Sequence, residues 1–246
     1  MATETFVLPG DTIDAGVLPS HPTQPLKLGP GLRHIPPNTI TSTVAGQLCT
    51  DKRKNAVWVE YNGSRYIPTV GDLVIATVQK SGLDYFYVSL SDYTSNAALP
   101  QLSFEGATKK TRPQLSTGAL VYARVTLANK HMDPELECVS SPTGKSEGLG
   151  PLNGGMLFSI SLGMARRLML AKPSEQGDLV LLDVIGEGGV PFEIAAGRNG
   201  KVWVDSKHIK TTLAIGHAIQ DTDTKSLSTE AQKKLGKKIA KDVKDL

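Results

Sequence analysis

The chain has 246 residues, which suits one large domain or two to three small ones. Hydrophobic residues make up 39% and charged residues 21%, so the sequence can form packed cores and is not wholly disordered. The formal net charge of +3 is too small to indicate nucleic-acid binding by itself. No apolar run approaches the roughly 18 residues that span a bilayer, and the first residues lack the pattern of a secretory signal. Cys49 and Cys138 are too few and too far apart for a disulfide scaffold or a zinc site, which suits a reducing compartment.

The first part of the chain is rich in proline and carries short strand patterns. Eight of the fifteen prolines lie in residues 1–68, where their fixed φ and missing N–H favour loops over long strands. Alternating residues at 56–61 predict a strand. Asn62 and Gly63 then favour a tight hairpin with the segment that follows, because both turn positions require a positive φ. We therefore predict a small β domain over residues 1–62.

Residues 63–146 have the pattern of a five-stranded OB barrel, a fold that often binds single-stranded nucleic acid. The predicted strands are short, and a longer polar stretch separates the third from the fourth. They cover residues 73–78, 85–90, 97–102, 119–125 and 135–139.

The second predicted strand alternates between apolar and polar positions. Phe86, Val88 and Leu90 are expected to face the barrel interior, which turns Tyr85 and Tyr87 outward. Outward tyrosines are candidate stacking platforms for bases. Covering a neighbouring domain is an equally good interpretation of the same two rings.

A basic cluster lies in the loop after the third predicted barrel strand. Lys109, Lys110 and Arg112 are close together in sequence, and this loop can line the binding face of an OB fold. Cations so placed neutralise phosphates and release counterions, which favours a nucleic-acid contact over a merely solvated loop. Lys80, on the strand before Tyr85, is a weaker candidate for the same contact.

The last third of the chain alternates between strand and helix patterns. Residues 140–155 are rich in Ser, Gly and Pro and predict a linker. Residues 147–246 then predict a small α+β domain, in which residues 179–185 are ambiguous between strand and buried helix. Its last helix is basic, since residues 225–246 hold seven lysines against three acids.

One loop of this domain fits the Gly-x-x-Gly pattern that clamps a nucleic-acid backbone in KH domains. It contains Gly197, Asn199 and Gly200. A KH clamp joins two helices, however, and here strand patterns stand on both sides of the loop. Asn-Gly is hairpin chemistry, so we interpret the loop as mainly structural.

No motif in the sequence indicates an enzyme, a metal site or a cofactor. Lys145 follows a glycine, but a P-loop requires a second glycine where Val139 stands. The five histidines have no metal-ligand spacing, and the carboxylates show no clustered nuclease motif. Two other functions stay open, a free-standing single-stranded RNA-binding factor and a cryptic metal-dependent nuclease.

Several segments together resemble one family, the eukaryotic RNA exosome cap subunit known as exosome component 3 or ribosomal RNA-processing protein 40. The resemblance covers nearly the whole chain, and its most distinctive segment is Leu-Ser-Phe-Glu-Gly-Ala-Thr-Lys at 102–109 with Arg-Pro after it. The other matching segments are Leu-Pro-Gly-Asp at 8–11, Leu-Gly-Pro-Gly at 28–31, Arg-Tyr-Ile-Pro at 65–68, Gly-Asp-Leu-Val at 71–74, Ala-Asn-Lys at 128–130, Asp-Pro-Glu at 133–135 and Gly-Arg-Asn-Gly-Lys-Val-Trp-Val at 197–204.

The resemblance implies a mostly β chain with an N-terminal β domain, an S1-type OB barrel and a C-terminal α+β KH-like domain. It implies a non-catalytic subunit that sits with other cap subunits on a ring of RNase PH-like subunits and frames the pore for single-stranded RNA. Nucleus, nucleolus and cytoplasm are the implied compartments. The family's basic pore residues correspond to Lys109, Lys110 and Arg112, and its Gly-x-Asn-Gly loop, which corresponds to Gly197, Asn199 and Gly200, is implied to pack between domains.

Overall fold

A computed structural model describes residues 5–20, 25–52, 55–61, 63, 65–129, 131–140, 142–170, 172–176 and 178–244. The chain divides into two compact units, Met1–Gly63 and Ser64–Leu246. No helix among the described residues is long and apolar enough to cross a membrane.

The first unit is a small β domain, as the alternating and β-branched segments predict. Its described residues form the strands β1 (Thr5–Val7), β2 (Lys27–Leu28), β3 (Leu32–Ile35), β4 (Thr39–Ser42), β5 (Gly46–Asp51) and β6 (Ala56–Glu60). The main sheet has the strand order β1-β5-β6-β2, and β3 and β4 form a separate hairpin. Its core consists of small aliphatic side chains, namely Val7, Ile13, Ile40, Leu48, Val57 and Val59.

The hairpin expected around Asn62 and Gly63 is wrong in the part that the structure describes. Both edges of β6 are already paired, with β5 on one side and β2 on the other. Residues 65–70 form no strand. Tyr66 instead packs in the core of the second unit, where its hydroxyl donates to Asp72 Oδ2 at 2.9 Å. Asn62 itself lies outside the described residues.

The second unit begins with the predicted barrel. Its strands are β7 (Leu73–Ser81), β8 (Tyr85–Ser89), β9 (Ala97–Pro100), β10 (Leu120–Asn129), β11 (Met132–Glu137) and β12 (Gly150–Leu152). The barrel closes because β11 pairs with both β9 and β10. The expected inward positions are confirmed, since Phe86, Val88 and Leu90 are at most 2% exposed.

The predicted linker contains a strand that sequence patterning missed. β12 pairs with the first residues of β10, so this part of the chain continues the barrel sheet. The segment holds only three strand residues, and Gly150 and Pro151 disguise it as loop. The linker prediction is therefore wrong for residues 150–152.

The rest of the second unit is the predicted α+β fold. Its elements are β13 (Met156–Ser159), α1 (Leu162–Leu168), α2 (Pro173–Gln176), α3 (Leu181–Glu187), β14 (Phe192–Gly197), β15 (Lys201–Ser206), α4 (Ile209–Thr224) and α5 (Thr229–Lys244). The three strands form one sheet in the order β13-β15-β14, and the predicted hairpin of β14 and β15 is confirmed. The ambiguous residues 179–185 fall mostly in α3, a helix with buried Leu181 and Ile185.

One buried amide fixes α5 against the segment that leads into α3. Gln232 is 1% exposed, and its Oε1 accepts the Val180 N–H at 3.0 Å. Its Nε2 donates to the carbonyls of Asp178 at 3.0 Å and Leu227 at 2.9 Å. Because its oxygen and both of its N–H donors have partners, this side chain ties α5 to the segment that leads into α3.

Candidate nucleic-acid interface

The hairpin between β7 and β8 carries the two tyrosines that the sequence analysis singled out. Tyr85 and Tyr87 are 42% and 43% exposed, while Phe86 between them is 2% exposed. Lys80 lies directly opposite Tyr87 in the β7–β8 pairing, after a register shift that follows Val78. Residues opposite each other in a ladder share a face, so Lys80 and Tyr87 are neighbours on the outside of the barrel.

An outward-facing barrel residue does pack against a neighbouring domain, but it is Ile75 rather than either tyrosine. Val74 and Ala76 of β7 face the barrel core, so Ile75 between them points outward, yet it is 0% exposed. Its backbone contacts the loop between β14 and β15. The KH-like domain therefore covers Ile75 and leaves Tyr85 and Tyr87 accessible.

The basic loop is a turn that is ordered by its own hydrogen bonds. The Thr111 hydroxyl accepts the Thr108 N–H at 3.0 Å and donates to the Gly106 carbonyl at 3.0 Å. At the start of the loop Phe104 is buried and packs edge-to-face on Phe86, with ring centroids 6.4 Å apart. Lys109, inside this turn, is presented to solvent from a backbone that is held at both ends.

Arg112 joins this loop to the β7–β8 hairpin. Its Nη1 donates to the carbonyl of Leu83, at the hairpin tip, at 3.0 Å. A guanidinium has five N–H donors, so this contact leaves others for a ligand. The two segments enclose a groove of about 610 Å³. Its lining residues are Leu83, Asp84, Tyr85, Pro100, Gln101, Leu102, Lys109 and Arg112.

The structure thus brings together three of the six residues proposed for RNA contact. Tyr85, Lys109 and Arg112 line one groove, with exposed Leu83 and Leu102 at its rim. Lys110, Lys80 and Tyr87 do not line it. Lys110 is exposed on the same turn as Lys109, and the other two form their own patch farther along the strands.

Gln101 is a positioning residue that the sequence analysis missed. Its side chain is 4% exposed and donates from Nε2 to the Gly82 carbonyl at 2.8 Å. Its backbone N–H donates to the Asp84 carbonyl at 2.9 Å, so it fixes both sides of the hairpin tip. Ala97 and Leu99 are buried, and because side chains alternate between the two faces of a strand, Gln101 is expected to point inward as well. A polar residue on that inward register is the signal that could have identified it.

The Gly-x-x-Gly loop is occupied by contacts with the barrel. Asn199 is 6% exposed, and its Nδ2 donates to the carbonyls of Ile75 at 2.9 Å and Leu90 at 2.7 Å. Its Oδ1 accepts the Ile75 N–H at 3.2 Å. A Cβ at Gly197 would lie 2.7 Å from the Ile75 nitrogen, and Gly200 has φ +74° with a Cβ position 2.8 Å from the Ile160 carbonyl oxygen. Each glycine therefore has a packing reason of its own.

Further contacts beside this loop join the same two domains. The Arg198 N–H donates to the Leu73 carbonyl at 2.8 Å, and its Nε lies 3.5 Å from Asp72 Oδ1. The Tyr122 hydroxyl of β10 donates to the Ala196 carbonyl at 3.1 Å. Asp72 also accepts from Tyr66, and burial raises the pKa of that phenol, with the nearby Asp72 charge adding to the rise.

The position where a KH clamp belongs has no such motif. Helices α1 and α3 are joined by residues 169–180, which contain the single glycine Gly177. A Gly-x-x-Gly clamp needs two glycines with close backbone approach to the nucleic acid. RNA contact by this chain is therefore better sought on the barrel than on the KH-like domain's usual loop.

The described residues show no arrangement suited to metal chemistry. No three His, Cys, Asp or Glu side chains among them are grouped so that they could hold a metal ion. Cys138 is buried in the barrel core, and burial raises the pKa of its thiol to about 12, so it stays protonated.

Comparisons with known proteins agree with this architecture. Residues 66–150 match the family model described as "Exosome complex component RRP40, S1 domain". Residues 26–65 match "Exosome complex exonuclease Rrp40 N-terminal domain", and residues 155–210 match "KH domain".

Similar proteins cover nearly the whole chain. "Exosome complex component RRP40" of Saccharomyces cerevisiae is 38% identical over 245 residues, which is 97% of each chain. "Exosome complex component rrp40" of Schizosaccharomyces pombe is 37% identical over 241 residues, 96% of this chain and 95% of the relative. A crystal structure of a protein provisionally named as an exosome complex RNA-binding protein has the same fold, with a TM-score of 0.56 and 23% identity over 74% of this chain and 98% of that one.

An S1 barrel followed by a KH domain defines the class of S1–KH RNA-binding proteins. Within that class, the sequence identities of 37–38% to RRP40 proteins extend over at least 95% of both chains in each comparison. The chain therefore belongs to the RRP40 family of exosome complex components. The family resemblance read from the sequence and the predicted fold class are both confirmed.

Replacing Asn199 by Ala tests how strongly the loop joins barrel and KH domain. We expect the free energy of unfolding to fall by about 3 kcal/mol, because two carbonyls and one N–H of the barrel would be buried without partners. Denaturation in urea measures this loss. Asn129→Ala is the matched control, since that exposed amide has a local partner among the described residues, the N–H of His131. Equal losses in the two variants would contradict the joining role.

Proposed function

We propose that this protein is a non-catalytic cap subunit of the RNA exosome. It stabilises a ring of RNase PH-like subunits together with other cap subunits, and it guides single-stranded RNA into the central channel for 3'-to-5' processing and degradation. The observation that carries the RNA role is the groove in which Tyr85, Lys109 and Arg112 meet on an S1 barrel. Family membership carries the assembly role.

The groove combines the two features that hold single strands without reading their sequence. Lys109, with Lys110 beside it, supplies exposed charge for phosphates. Tyr85 supplies an exposed ring on which a base can stack. Arg112 holds the hairpin tip with one N–H and keeps others for a phosphate. Lys80 and Tyr87 offer the same pairing of charge and ring farther along the barrel.

The non-catalytic role is supported by the family, whose members are exosome complex components with S1 and KH domains. The chain would then supply position and charge, and associated nucleases would supply hydrolysis. We further propose that it works in nucleus, nucleolus and cytoplasm. We also propose three domains over residues 1–62, 63–146 and 147–246, with β12 at the start of the last range extending the barrel sheet by pairing with β10. The joining loop of Gly197, Asn199 and Gly200 keeps the barrel groove in a fixed relation to the KH domain.

The native mass of the untagged protein in gentle cell extract tests the assembly role. Size-exclusion chromatography is expected to recover it in a large assembly, with RNase PH-like subunits co-eluting. Recovery only near 26 kDa would contradict that role and favour a free-standing RNA-binding factor. Metal-dependent cleavage of RNA by the pure chain would instead indicate a nuclease.

Replacing Lys109 and Lys110 together by Gln tests the electrostatic contact. The slope of log K against log salt is negative, and we expect its magnitude for oligouridine binding by the assembled complex to fall by about 1.4, since each single-strand contact contributes about 0.7. Fluorescence anisotropy across a sodium chloride series measures the slope. Lys145→Gln with Lys207→Gln removes two exposed charges elsewhere and is expected to leave it unchanged. An unchanged slope in the Lys109/Lys110 variant would reject the assignment.

Replacing Tyr85 tests the stacking contact separately from charge. Tyr85→Ala is expected to weaken oligouridine binding about tenfold, because one stacked base is worth about 1–3 kcal/mol. Tyr85→Phe keeps the ring and should bind like the unmodified protein. Tyr93→Ala is the control, because Tyr93 is 74% exposed but lies outside the groove. Equal weakening by Tyr85→Ala and Tyr93→Ala would mean that the groove has no special part in binding.

A further inference from the structure

Helix α5 concentrates the positive charge of the protein. Its sixteen residues hold six lysines against two acids, a balance of +4 in a chain whose total is +3, so all other residues together are slightly acidic. Five of those lysines are exposed, and we call them the lysine stripe: Lys233, Lys234, Lys237, Lys238 and Lys241.

The opposite face of α5 fixes the helix to the KH domain. Gln232, Ile239 and Ala240 are buried, and a Cβ at Gly236 would lie 2.9 Å from Val184 Cγ1 of α3. The apolar side is therefore already used in the core. This excludes the mode in which a basic amphipathic helix lies on a membrane with its apolar face inserted.

The lysine stripe forms one surface rather than scattered charges. At about 100° per residue its five side chains fall within an arc of about 140°, and at about 1.5 Å per residue they extend about 12 Å along the axis. None of the five has an ion-pair partner among the described residues. The nearby acids are Glu230 at the N-terminal end, Asp242 at the edge and Glu187 of α3, which shares a groove with Lys237 and Lys241.

The stability of α5 does not explain why its lysines are clustered on one face. Lys233 and Lys237, Lys237 and Lys241, and Lys234 and Lys238 are all like charges four residues apart, a spacing that destabilises a helix. The repulsion is relieved when an anionic chain lies along the surface and its counterions are released.

We propose that the lysine stripe is a second contact for the RNA backbone, separate from the barrel groove. The inference rests on the RNA-binding function proposed above. A protein partner fits less well, because interface cores are depleted in lysine and depend on aromatic and arginine anchors, and α5 has neither. Lysines without an aromatic platform track phosphates without reading bases, so this contact is purely electrostatic.

Oligouridine binding by the full chain, measured by fluorescence anisotropy across a sodium chloride series, tests this proposal. Replacing Lys233, Lys237 and Lys241 together by Gln is expected to lower the magnitude of the negative slope of log K against log salt by about 2, three contacts at about 0.7 each. Gln has a helix propensity close to that of Lys, and removing like-charge pairs should leave the fold intact or stabilise it. Lys234→Gln with Lys238→Gln is an independent variant, with an expected fall of about 1.4.

Two matched controls separate this site from general charge. Changing Lys233, Lys237 and Lys241 to Arg keeps the charge and should keep the slope. Changing Lys145, Lys207 and Lys210 to Gln removes three exposed charges outside the stripe and should change the slope little. A fall equal to that of the stripe variant would overturn the proposal, because it would show that only net charge matters.

The result also distinguishes the stripe from the barrel groove. A reduced slope in the stripe variants supports the stripe, even where the Lys109/Lys110 variant keeps its slope and the groove assignment fails. An unchanged slope in both stripe variants overturns the stripe and leaves the groove assignment standing. Loss of the stripe variants from the large assembly, with RNA binding unchanged, would overturn it in favour of an acidic protein partner.

Discussion

The side chain of Asn199 satisfies backbone groups on two neighbouring strands of the barrel, and this contact joins the KH-like domain to the strands that carry the proposed RNA groove. It bonds to both polar groups of Ile75 in β7 and to the carbonyl of Leu90 just after β8. The Lys80 and Tyr85 positions lie on the same two strands, toward the other end of the hairpin. One end of the β7–β8 pair is thus fixed by the KH domain, while the other carries the proposed site.

The turn of the β7–β8 hairpin, at the end away from Asn199, is also held by polar side chains that bond to main-chain carbonyls. Gln101 donates a side-chain amide to the Gly82 carbonyl, and Arg112 donates to the Leu83 carbonyl. Gln232 does the equivalent for α5 in the KH domain. In each case a polar side chain bonds to main-chain groups of a loop. These hydrogen bonds order the loop without requiring a large apolar side chain. This suits a chain in which aromatic residues are only 5%.

The barrel and the β14–β15 hairpin could be predicted from sequence because their signals are local. Phe86, Val88 and Leu90 alternate on one face, and Asn199-Gly200 separates two alternating runs. The two wrong predictions, the hairpin at Asn62-Gly63 and the linker over β12, concern features that local patterns do not determine. Asn62-Gly63 has equally good local turn chemistry, but one edge of β6 is taken by β5, the strand just before it, and the other by β2, which is distant in sequence, so no hairpin forms in the described residues. β12 is too short to show a period at all.

The candidate site was predictable as a set of residue types but not as an arrangement. Lys109 and Arg112 are conspicuous as charges, and Tyr85 as an outward ring, yet their convergence on one groove depends on contacts across 29 residues of chain between Arg112 and Leu83. Gln101 went unnoticed because a single polar residue at a strand end is ordinary. It lies inside the strand predicted over residues 97–102, and the alternation that starts at the buried Ala97 and Leu99 would have marked it as inward-facing.

The two proposed RNA surfaces differ in how they depend on salt. In the barrel groove, cations stand beside a ring and beside Asp84, so stacking can hold a strand when salt screens the phosphates. On α5 there is charge without a ring, and affinity there must vanish as salt rises. Because the residues outside α5 together carry a formal charge of −1, we expect the long-range attraction of RNA to come mainly from α5. In this proposal a strand is attracted to α5 over a distance set by screening and is held in the groove by contact, two roles that one uniformly basic surface could not separate.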